Sequence, residues 1–405
     1  MIKIKRESNI QEVAVTGIGI VSSIGFNTED FFLNLCEGKE GTNLISGFDT
    51  SQYRRKIAAQ ILGPLPNKKW ANYNRVNQML LSAVEEALID SGLNIESSSP
   101  ISLSFGTMIG GVSELEDIVF NDKNFQLNNY VDKLKYYPIN APVDILANEF
   151  NLKGGLKSTV MTACASGTTA LGVGFNWIRY KRADIVICGG YDIFRPLTHL
   201  GLSSLRIISP DKVRPFDLNR KGILIGEGAG VIILESVEHA MMRKAKTYTN
   251  VLGYGSSCDA NDLAHPDGDG MQVSMEKAIL ESGLSLRDIN YINAHGTGTL
   301  QNDLAEARAI TKIFNKEGIF PYVSSIKGAI GHTIGAAGAI EAIATILSIY
   351  HSKIPPNLNV KQQDDNCKIN LVKNKYIKKD IKAALSNSFG FGGNNASIIF
   401  GGLNE

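Results

Sequence analysis

The sequence predicts an α/β protein built from two similar halves that pack as one unit. The first observation is a repeated order of apolar strands and amphipathic helices, which runs through residues 12–111 and returns in residues 250–400. The second is the composition, because 43% hydrophobic and 20% charged residues in a chain of 405 support a large buried core. The third is the clustering of 40 glycines into short motifs, which is typical of tight turns and close backbone contacts.

In the first half, apolar runs and turn residues locate each element. The first predicted helix follows the first strand, and Asn27 or Thr28 is a suitable N-cap for it. Gly92 is expected to close the second helix. The predicted strands span 12–23, 101–111, 183–192 and 229–236, and the predicted helices span 27–38 and 77–92.

The second half repeats this order. Its predicted strands are 250–259 and 289–299, and residues 383–400 form a strand, a glycine loop and a strand. An amphipathic helix is expected at 274–284, and a long, mostly apolar and therefore buried helix at 336–352. No Pro-rich or Ser-rich linker separates the halves, so the sequence predicts one packed unit.

Bulk properties exclude several classes of function. The net charge of +1 gives no global field for nucleic acid or for an anionic membrane. The five cysteines are scattered and never spaced as CxxC, so neither a disulfide framework nor a metal site is indicated. We expect no membrane span, because no run of about 20 apolar residues occurs. The absence of a signal peptide and of disulfides favours a cytoplasmic protein.

One glycine motif near the start resembles a nucleotide-binding fingerprint. Gly17, Gly19 and Ser22 follow a strand in the spacing GxGxxG, but the third glycine is missing. No acidic residue about 20 positions later is placed to bind a ribose. A tight turn after the first strand is therefore favoured over nucleotide binding.

Cys164, in "TACASGTTA", is the first candidate for chemistry. It precedes a run with apolar residues at helical spacing, so it lies at or just before a helix N-terminus, where unpaired N–H groups favour a thiolate. Small neighbours permit a sharp strand-to-helix turn with an accessible thiol. The alternative is an inert core cysteine, which is the usual state of a free cysteine.

Two histidines and one loop supply possible partners for this thiol. His295 and His332 each follow a short apolar strand and lie among glycines, a setting in which a side chain approaches a ligand. Surface or helix-end positions are expected for the other four, which are His199, His239, His265 and His351. In "NSFGFGGNNAS", Phe389 and Phe391 stand beside glycines, which indicates an oxyanion donor with an aromatic gate or an ordinary hairpin loop.

These motifs together resemble the β-ketoacyl-acyl carrier protein synthases of the elongating, two-histidine type. The resemblance rests on "TACASG", "NAHGTGT", "KGAIGHTIGAAGAIEA" and "RPFD…GEGAGVIILE", and it covers almost the whole chain. It implies a thiolase-like fold, an αβαβα five-layer sandwich of two pseudo-repeated halves. The half with the nucleophilic cysteine is then 1–245, and the half with the two histidines is 246–405.

The resemblance also implies roles for individual residues. Cys164, His295 and His332 match the catalytic triad, supported by Lys327, and Phe391 matches the gate whose N–H forms an oxyanion hole with that of Cys164. Thr297 and Thr299 match the threonines that hold a pantetheine arm. Glu341, Asp303 and Glu306 match supporting acids. Lys327 is expected to keep the local field positive and to orient His332 through its neighbours.

The implied partners are an acyl carrier protein and a second subunit, in a homodimer or a heterodimer with a related ketosynthase-like chain. No metal or redox cofactor is required, because phosphopantetheine arrives on the substrate. The carrier protein of this family is acidic, so a basic patch is expected to receive it, although solvated surface charge is an equal alternative for each residue. The candidates are Lys68, Lys69, Arg75, Lys133, Lys135 and Arg206.

Some positions depart from the usual fatty-acid enzyme, which leaves chain length and pathway open between fatty-acid and type II polyketide or polyene synthesis. Lys221, Ile223 and Asn394 replace other common residues, and residues 113–150 show little likeness. A non-catalytic chain-length-factor-like subunit is the first alternative, which the retained Cys164 and histidines disfavour. A thiolase-type acyl-CoA enzyme needs a second cysteine where this chain has Phe391. An initiating synthase with a Cys-His-Asn triad is disfavoured by His332.

Overall fold

The structure, a computed structural model, describes residues 10–96, 100–112, 116, 131–263 and 265–402. The strands are β1 (Val13–Val21), β2 (Asn43–Leu44), β3 (Ile57–Ala58), β4 (Ile101–Gly106), β5 (Gly154–Val160), β6 (Ile185–Asp192), β7 (Gly228–Ser236), β8 (Thr249–Cys258), β9 (Ile289–Asn293), β10 (Tyr322–Ser324), β11 (Lys353–Ile354), β12 (Asn370–Leu371), β13 (Ile377–Lys378), β14 (Ala383–Gly390) and β15 (Asn394–Gly401). The helices are α1 (Thr28–Cys36), α2 (Arg75–Ser91), α3 (Val131–Leu134), α4 (Ala141–Glu149), α5 (Ser166–Arg179), α6 (Pro196–Ser204), α7 (Val237–Met242), α8 (Gly268–Ser282), α9 (Leu300–Phe314), α10 (Lys327–Ile330) and α11 (Ala337–His351).

Eleven strands form one continuous mixed sheet, in the order β12-β10-β9-β14-β15-β8-β1-β7-β6-β4-β5. The first half contributes five of these strands, which lie in the order β5-β4-β6-β7-β1 from the edge of the sheet to its centre. Numbered along the chain within this half, they are the third, second, fourth, fifth and first strands. The second half contributes β10-β9-β14-β15-β8, read toward the centre of the sheet. Numbered in the same way, these are again the third, second, fourth, fifth and first strands of their half. The first strands of the two halves, β1 and β8, pair antiparallel at the centre. The sheet therefore contains the same topology twice, as the sequence predicted.

Five layers result from the way helices cover this sheet. In the middle, α5 and α11 contact each other, and each also contacts strands of both halves. On the outer side of the first half, α2 packs on β1 and β7. On the outer side of the second half, α8 packs on β8 and β15, and α9 packs against α8. The predicted αβαβα arrangement is confirmed, with the two sheet halves joined through β1 and β8.

The glycine pair near the start of the chain is explained by helix packing. Gly17 and Gly19 lie inside β1, and a Cβ added to them would lie only 2.4 Å from the carbonyl oxygen of Ala87 and 2.0 Å from that of Ala83. The α2 backbone therefore rests directly on the strand, which requires glycine. This pair lies within a strand and not in a phosphate-binding loop, so the nucleotide fingerprint is a coincidence of spacing.

In the second half, a pair of glycines likewise allows a helix to pack directly on a strand. A Cβ at Gly253 of β8 would lie 2.3 Å from the carbonyl oxygen of Ala278, and one at Gly255 would lie 2.1 Å from that of Ser274. Both carbonyls belong to α8, which takes the place that α2 has in the first half. The repeat therefore extends from strand order to individual packing contacts.

The predicted helix ends are confirmed in the first half. Asn27 caps α1, since its side chain accepts a hydrogen bond from the N–H of Asp30 at 2.8 Å. Gly92 closes α2 in the left-handed conformation, with φ of 60°.

The long apolar helix predicted for residues 336–352 is α11. Within the described part of the chain, the stretch Ile334–His351 alone is long and apolar enough to cross a membrane by length and composition. However, 83% of it is buried inside the protein, as in the core helix of a globular fold. Gly167 of α5 permits the close contact in the middle layer, because an added Cβ would lie 2.7 Å from the backbone nitrogen of Ala339.

Candidate active site

Cys164 lies in a single 3-10 turn, residues 163–165, between β5 and the N-terminus of α5. The turn is sharp because Ala163 has φ of +51°, a left-handed conformation that is rare outside glycine. Ser166 holds it closed, since its Oγ donates to the carbonyl of Ala163 at 2.6 Å and accepts from the N–H of Thr162 at 2.9 Å. The thiol is thereby presented at the start of the helix, as predicted.

Burial governs the charge of this thiol. It raises the pKa of Cys164 to about 11, while Lys327 and the backbone N–H groups of Phe391 and of Cys164 itself act in the opposite direction. The helix N-terminus was expected to favour a thiolate, but desolvation outweighs the nearby positive groups. At pH 7 Cys164 is therefore a neutral thiol surrounded by groups that stabilise negative charge when it develops.

His295 follows β9 and is fixed from both sides. The carboxylate of Glu306 accepts the backbone N–H groups of His295 and Gly296, both at 2.8 Å. The ammonium of Lys327 lies 3.3 Å from His295 Nδ1, and it also forms a buried ion pair with Glu341. Because an ammonium can only donate, Nδ1 is the acceptor, and the ring proton lies on Nε2.

His332 follows α10 and Gly331, and a different donor orients its ring. Its backbone N–H donates to the carbonyl of Leu224 at 2.7 Å, and its carbonyl accepts from the N–H of Gly226 at 2.8 Å. The N–H of Ile334 donates to His332 Nδ1 at 3.0 Å. This ring therefore also carries its proton on Nε2.

The three predicted triad residues converge. The Sγ of Cys164 and one ring nitrogen from each of His295 and His332 lie within 4.8 Å of one another, and the two rings meet at 84° with centroids 5.4 Å apart. Burial lowers the pKa of both histidines well below 6.5, and the positive charge of Lys327 adds to this effect. Both imidazoles are consequently neutral N–H donors at pH 7.

Lys327 is in hydrogen-bond contact with a different histidine from the one we predicted it to orient. It was expected to orient His332, but its ammonium contacts Nδ1 of His295, and the N–H of Ile334 orients His332 instead. Burial raises the pKa of its partner Glu341 and Lys327 lowers it, with a net rise.

A thiolate and two imidazoles are also possible metal ligands. In this cluster, however, the Lys327 ammonium already places a positive charge 3.3 Å from His295 Nδ1. A second cation beside it would be repelled at low dielectric. The arrangement therefore suits a developing negative charge better than a metal ion.

The two predicted threonines form a turn at the edge of the same site. Their hydroxyl oxygens lie 2.9 Å apart, and Gly298 between them has φ of +78°. Asp303 accepts the N–H of Gly298 at 3.1 Å and that of Phe216 at 2.8 Å. The acids Asp303 and Glu306 thus hold the loop that carries His295, Thr297 and Thr299, and burial raises the pKa of Glu306 to about 7.

Phe391 lies in the short glycine loop between β14 and β15. Gly392 has φ of +75° and donates its N–H to the carbonyl of Leu263 at 2.8 Å, which ties this loop to a neighbouring one. Asn394, one of the departures from the usual sequence, donates from its side chain to the carbonyl of Phe391 at 3.2 Å. The Phe391 N–H interacts with the Sγ of Cys164, which is the contact expected of an oxyanion-hole donor.

A cleft joins these groups. Cys164, both histidines, both threonines and Phe391 line it. Seven further lining residues are apolar, and only Ile223 among them was singled out from the sequence, as a departure from the usual one. They are Met108, Leu202, Ile207, Ile223, Leu263, Pro266 and Ile334. Short isolated apolar residues such as these give no signal in the sequence, because only the fold brings them together.

Of the other histidines, one differs from expectation and one is found beside the cleft. His199 was expected at the surface or a helix end, but it is buried in α6 and its Nε2 lies 3.0 Å from the carbonyl of Arg55. His265 is exposed, as expected, and additionally lines the mouth of the cleft.

The predicted docking residues are spread over the surface. Arg206 is exposed and directly precedes Ile207, which lines the cleft. Lys69 is already engaged, since it pairs with Glu85 at 2.6 Å and lies over the ring of Trp70. Lys68 and Lys135 are exposed, Arg75 donates to the carbonyl of Ile61 at 3.0 Å, and the side chain of Lys133 lies outside the described residues. A docking role stays a prediction for each of them.

Comparison with known proteins identifies the family. Residues 11–240 match the model for the N-terminal domain of β-ketoacyl synthases, and residues 248–361 match that for the C-terminal domain. The chain is 34% identical to 3-oxoacyl-[acyl-carrier-protein] synthase 2 of Synechocystis, with 96% of this chain and 98% of the relative covered. It is 36% identical to the chloroplastic 3-oxoacyl-[acyl-carrier-protein] synthase II of Arabidopsis thaliana, with 96% of this chain and 75% of the relative covered.

Solved structures agree with these matches. The ishigamide ketosynthase/chain length factor superimposes with a TM-score of 0.91 at 32% identity, covering 98% of this chain and 100% of the other. A type II polyketide ketosynthase in complex with its acyl-carrier protein superimposes with a TM-score of 0.89 at 27% identity, again over 98% and 100% of the two chains. The fold, the converging cysteine and histidines, and these matches lead to one conclusion: the chain belongs to the β-ketoacyl synthase family of the thiolase superfamily.

Proposed function

We propose that the protein is a 3-oxoacyl-[acyl-carrier-protein] synthase, an acyltransferase that condenses a Cys164-bound acyl chain with malonyl carrier protein and releases carbon dioxide. The observation that carries this proposal is the convergence of a thiol with two neutral imidazoles whose Nδ1 atoms are both occupied. Such a site offers one nucleophile and two fixed N–H donors, which is the equipment that decarboxylative condensation requires.

In the first step, Cys164 Sγ attacks the carbonyl carbon of an acyl thioester. The new C–S bond forms as the bond to the pantetheine sulfur breaks, and the proton of the Cys164 thiol passes to the departing thiolate, which leaves as a thiol. The N–H groups of Phe391 and Cys164 stabilise the oxyanion of the tetrahedral intermediate. Because burial holds Cys164 neutral, the positive field of Lys327 assists the developing thiolate.

In the second step, the carbon–carbon bond to the malonyl carboxylate breaks and its electron pair forms an enolate on the remaining thioester. The Nε2–H groups of His295 and His332 donate to the enolate oxygen. In the third step, the enolate carbon attacks the acyl-Cys164 carbonyl, and the C–S bond breaks to give a β-ketoacyl thioester. The thiolate of Cys164 then takes up a proton, which restores the resting enzyme.

The phosphopantetheine arm is the group that both substrates share. Thr297 and Thr299 line the cleft beside the triad, and their hydroxyls suit the amides of such an arm. The apolar residues that line the cleft suit the acyl chain. No metal or redox cofactor enters any of the three steps.

The carrier protein and a second ketosynthase-like subunit are the proposed partners. Strand β5 ends the sheet, and among the described residues β4 is the only strand that pairs with it. Leu156 within it is 42% exposed, and Met161 just beyond it is 61% exposed. An open edge with apolar side chains suits pairing with the same edge of another subunit. Whether that subunit is a copy of this chain or a related one follows from the mass of the purified assembly.

The alternatives fit the site less well. A non-catalytic chain-length-factor-like subunit has no use for the buried Lys327–His295 contact that fixes a catalytic tautomer. A thiolase-type enzyme needs a second catalytic cysteine, and the glycine loop offers Phe391. The same condensation serves fatty-acid synthesis and type II polyketide or polyene synthesis. Relatives of the chain include proteins named mitochondrial and chloroplastic.

Acylation of Cys164 tests the proposed function. The protein is incubated with an acyl carrier-protein thioester, and its intact mass is measured over time. We expect an increase equal to one acyl group, which is absent from Cys164→Ala. Cys258→Ala, which removes an exposed cysteine, is the matched control and keeps the adduct. An adduct that survives Cys164→Ala, or no adduct on the unaltered protein, refutes the assignment.

A further inference from the structure

Arg220 is a buried cation that the steps described above do not use. It is 3% exposed, and it pairs with Asp364 at 2.7 Å and with Asp303 at 3.6 Å. A buried arginine is costly unless its charge and its N–H groups all find partners. Here two carboxylates balance the charge, so the remaining N–H groups are free to bind backbone carbonyls.

Those carbonyls belong to the threonine turn. Arg220 Nε donates to the carbonyl of Thr299 at 3.1 Å, and its Nη2 donates to that of Leu300 at 3.0 Å. From the other side, the N–H of Gly222 donates to the carbonyl of Gly298 at 2.9 Å. The turn that presents the Thr297 and Thr299 hydroxyls is therefore held by a segment that begins at Arg220.

The same segment also holds His332. Two residues after Gly222, the carbonyl of Leu224 accepts the backbone N–H of His332, and the N–H of Gly226 donates to its carbonyl. Between them, Ile223 lines the cleft. Residues 220–226 thus connect the threonine turn at one end to His332 at the other through direct backbone contacts.

We propose that Arg220 is a positioning residue for the substrate arm, a role that rests on the proposed function. By fixing the threonine turn relative to His332, it sets where an arm held by Thr297 and Thr299 delivers its thioester. The guanidinium is suited to this because its rigid fork reaches two carbonyls and a carboxylate at once, which the single ammonium of lysine cannot do.

The test compares two thioesters of one acyl group, octanoyl pantetheine and S-ethyl octanethioate, on the full chain. Acylation of Cys164 is followed by intact mass. Arg220→Lys is expected to slow acylation by the pantetheine thioester by about tenfold to a hundredfold, because a misplacement of about 1 Å costs that much. The ethyl thioester has no arm, so its rate should change by less than about twofold. The exposed Arg287→Lys is the matched control, with neither rate altered.

Coupling and a milder variant complete the test. Thr297→Val should slow acylation by the pantetheine thioester and not by the ethyl thioester. When it is combined with Arg220→Lys, the rate should fall little further, because both changes disturb the same turn. If Arg220→Lys does not fold, Asp364→Asn loosens the guanidinium from outside and should show the same selectivity on a smaller scale. Equal slowing of both thioesters, or no slowing of either, overturns the proposal. Failure of the unaltered protein to react with either thioester refutes the proposed function itself.

Discussion

Replacing Glu306 by glutamine should make the protein more stable at alkaline pH and less active at every pH. Glu306 is fully buried and binds the N–H groups of His295 and Gly296 with its two oxygens. Burial and the nearby charge of Asp303 raise its pKa from 4.5 to about 7. The folded state therefore binds a proton that the unfolded state has released between these two pH values.

The magnitude follows from this difference in proton binding. A raised carboxyl pKa gives stability that is fully present below about 4.5 and is lost as pH rises toward 7, at about 1.4 kcal/mol for each pH unit. The total is about 3 kcal/mol. Glutamine does not titrate, but its NH2 group faces one of the two N–H donors, at a cost of about 1 kcal/mol. Glu306→Gln should thus be slightly less stable than the wild type near pH 4.5 and about 2 kcal/mol more stable at pH 8.

Urea unfolding at pH 5, 6, 7 and 8, at one protein concentration, measures this difference. Subtracting the free energy of unfolding of the wild type from that of the variant cancels the contribution of every titrating group that the two proteins share. The exposed Glu317→Gln is the control and is measured at the same four pH values. Carbon dioxide release from malonyl carrier protein should fall about tenfold or more, since His295 loses its anchor. A pH-independent difference, or a variant less stable at pH 8 by more than about 1 kcal/mol, refutes the reasoning.

Two further predictions concern the decarboxylation donors and the packing of β1. His332→Ala should lower the rate of carbon dioxide release by about 10² to 10³, the usual cost of losing one such donor. His351→Ala, at the exposed end of α11, is the control and should leave the release unchanged. Unchanged release by His332→Ala would remove His332 from the mechanism. Gly19→Ala places a methyl group against the α2 backbone and should cost about 2 kcal/mol or more in urea unfolding. Gly201→Ala, where an added Cβ meets nothing within 4 Å, should cost nothing, and equal effects of the two substitutions contradict the packing argument.

The sequence predicts best those elements that are buried on both faces. Strands β6 and β7 and helix α11 appear as apolar runs, because all residues of the two strands and all of α11 up to Ile349 are buried. Strand β5, which leads directly into Cys164, was missed. It ends the sheet and is largely exposed, so its residues "GGLKSTV" carry no apolar pattern. The joining of the two halves into one sheet depends on a pairing between distant strands, which local patterns do not record.

The site shows the same division. The turn at Cys164 has a local signature of small residues, and the structure contains it. The meeting of Cys164, His295 and His332 was expected only through the family resemblance, because their separation in sequence gives no distance in space. Arg220 lies in the motif that began with "RPFD", yet nothing in that motif indicates that its side chain is buried behind the threonine turn.

The left-handed Ala163 has a consequence for how firmly the nucleophile is held. Glycine would adopt this conformation without the steric cost of about 1–2 kcal/mol that alanine has there. Glycine would also leave the unfolded chain freer, by about 0.4–1 kcal/mol, which offsets about half of that steric gain. The two residues also differ in backbone flexibility. The Cβ of Ala163 restricts the backbone before Cys164 to a small range of φ and ψ, whereas glycine would allow a much wider range. Alanine at this position therefore adds a little backbone strain, and in return the orientation of the Cys164 thiol is fixed before the thioester binds.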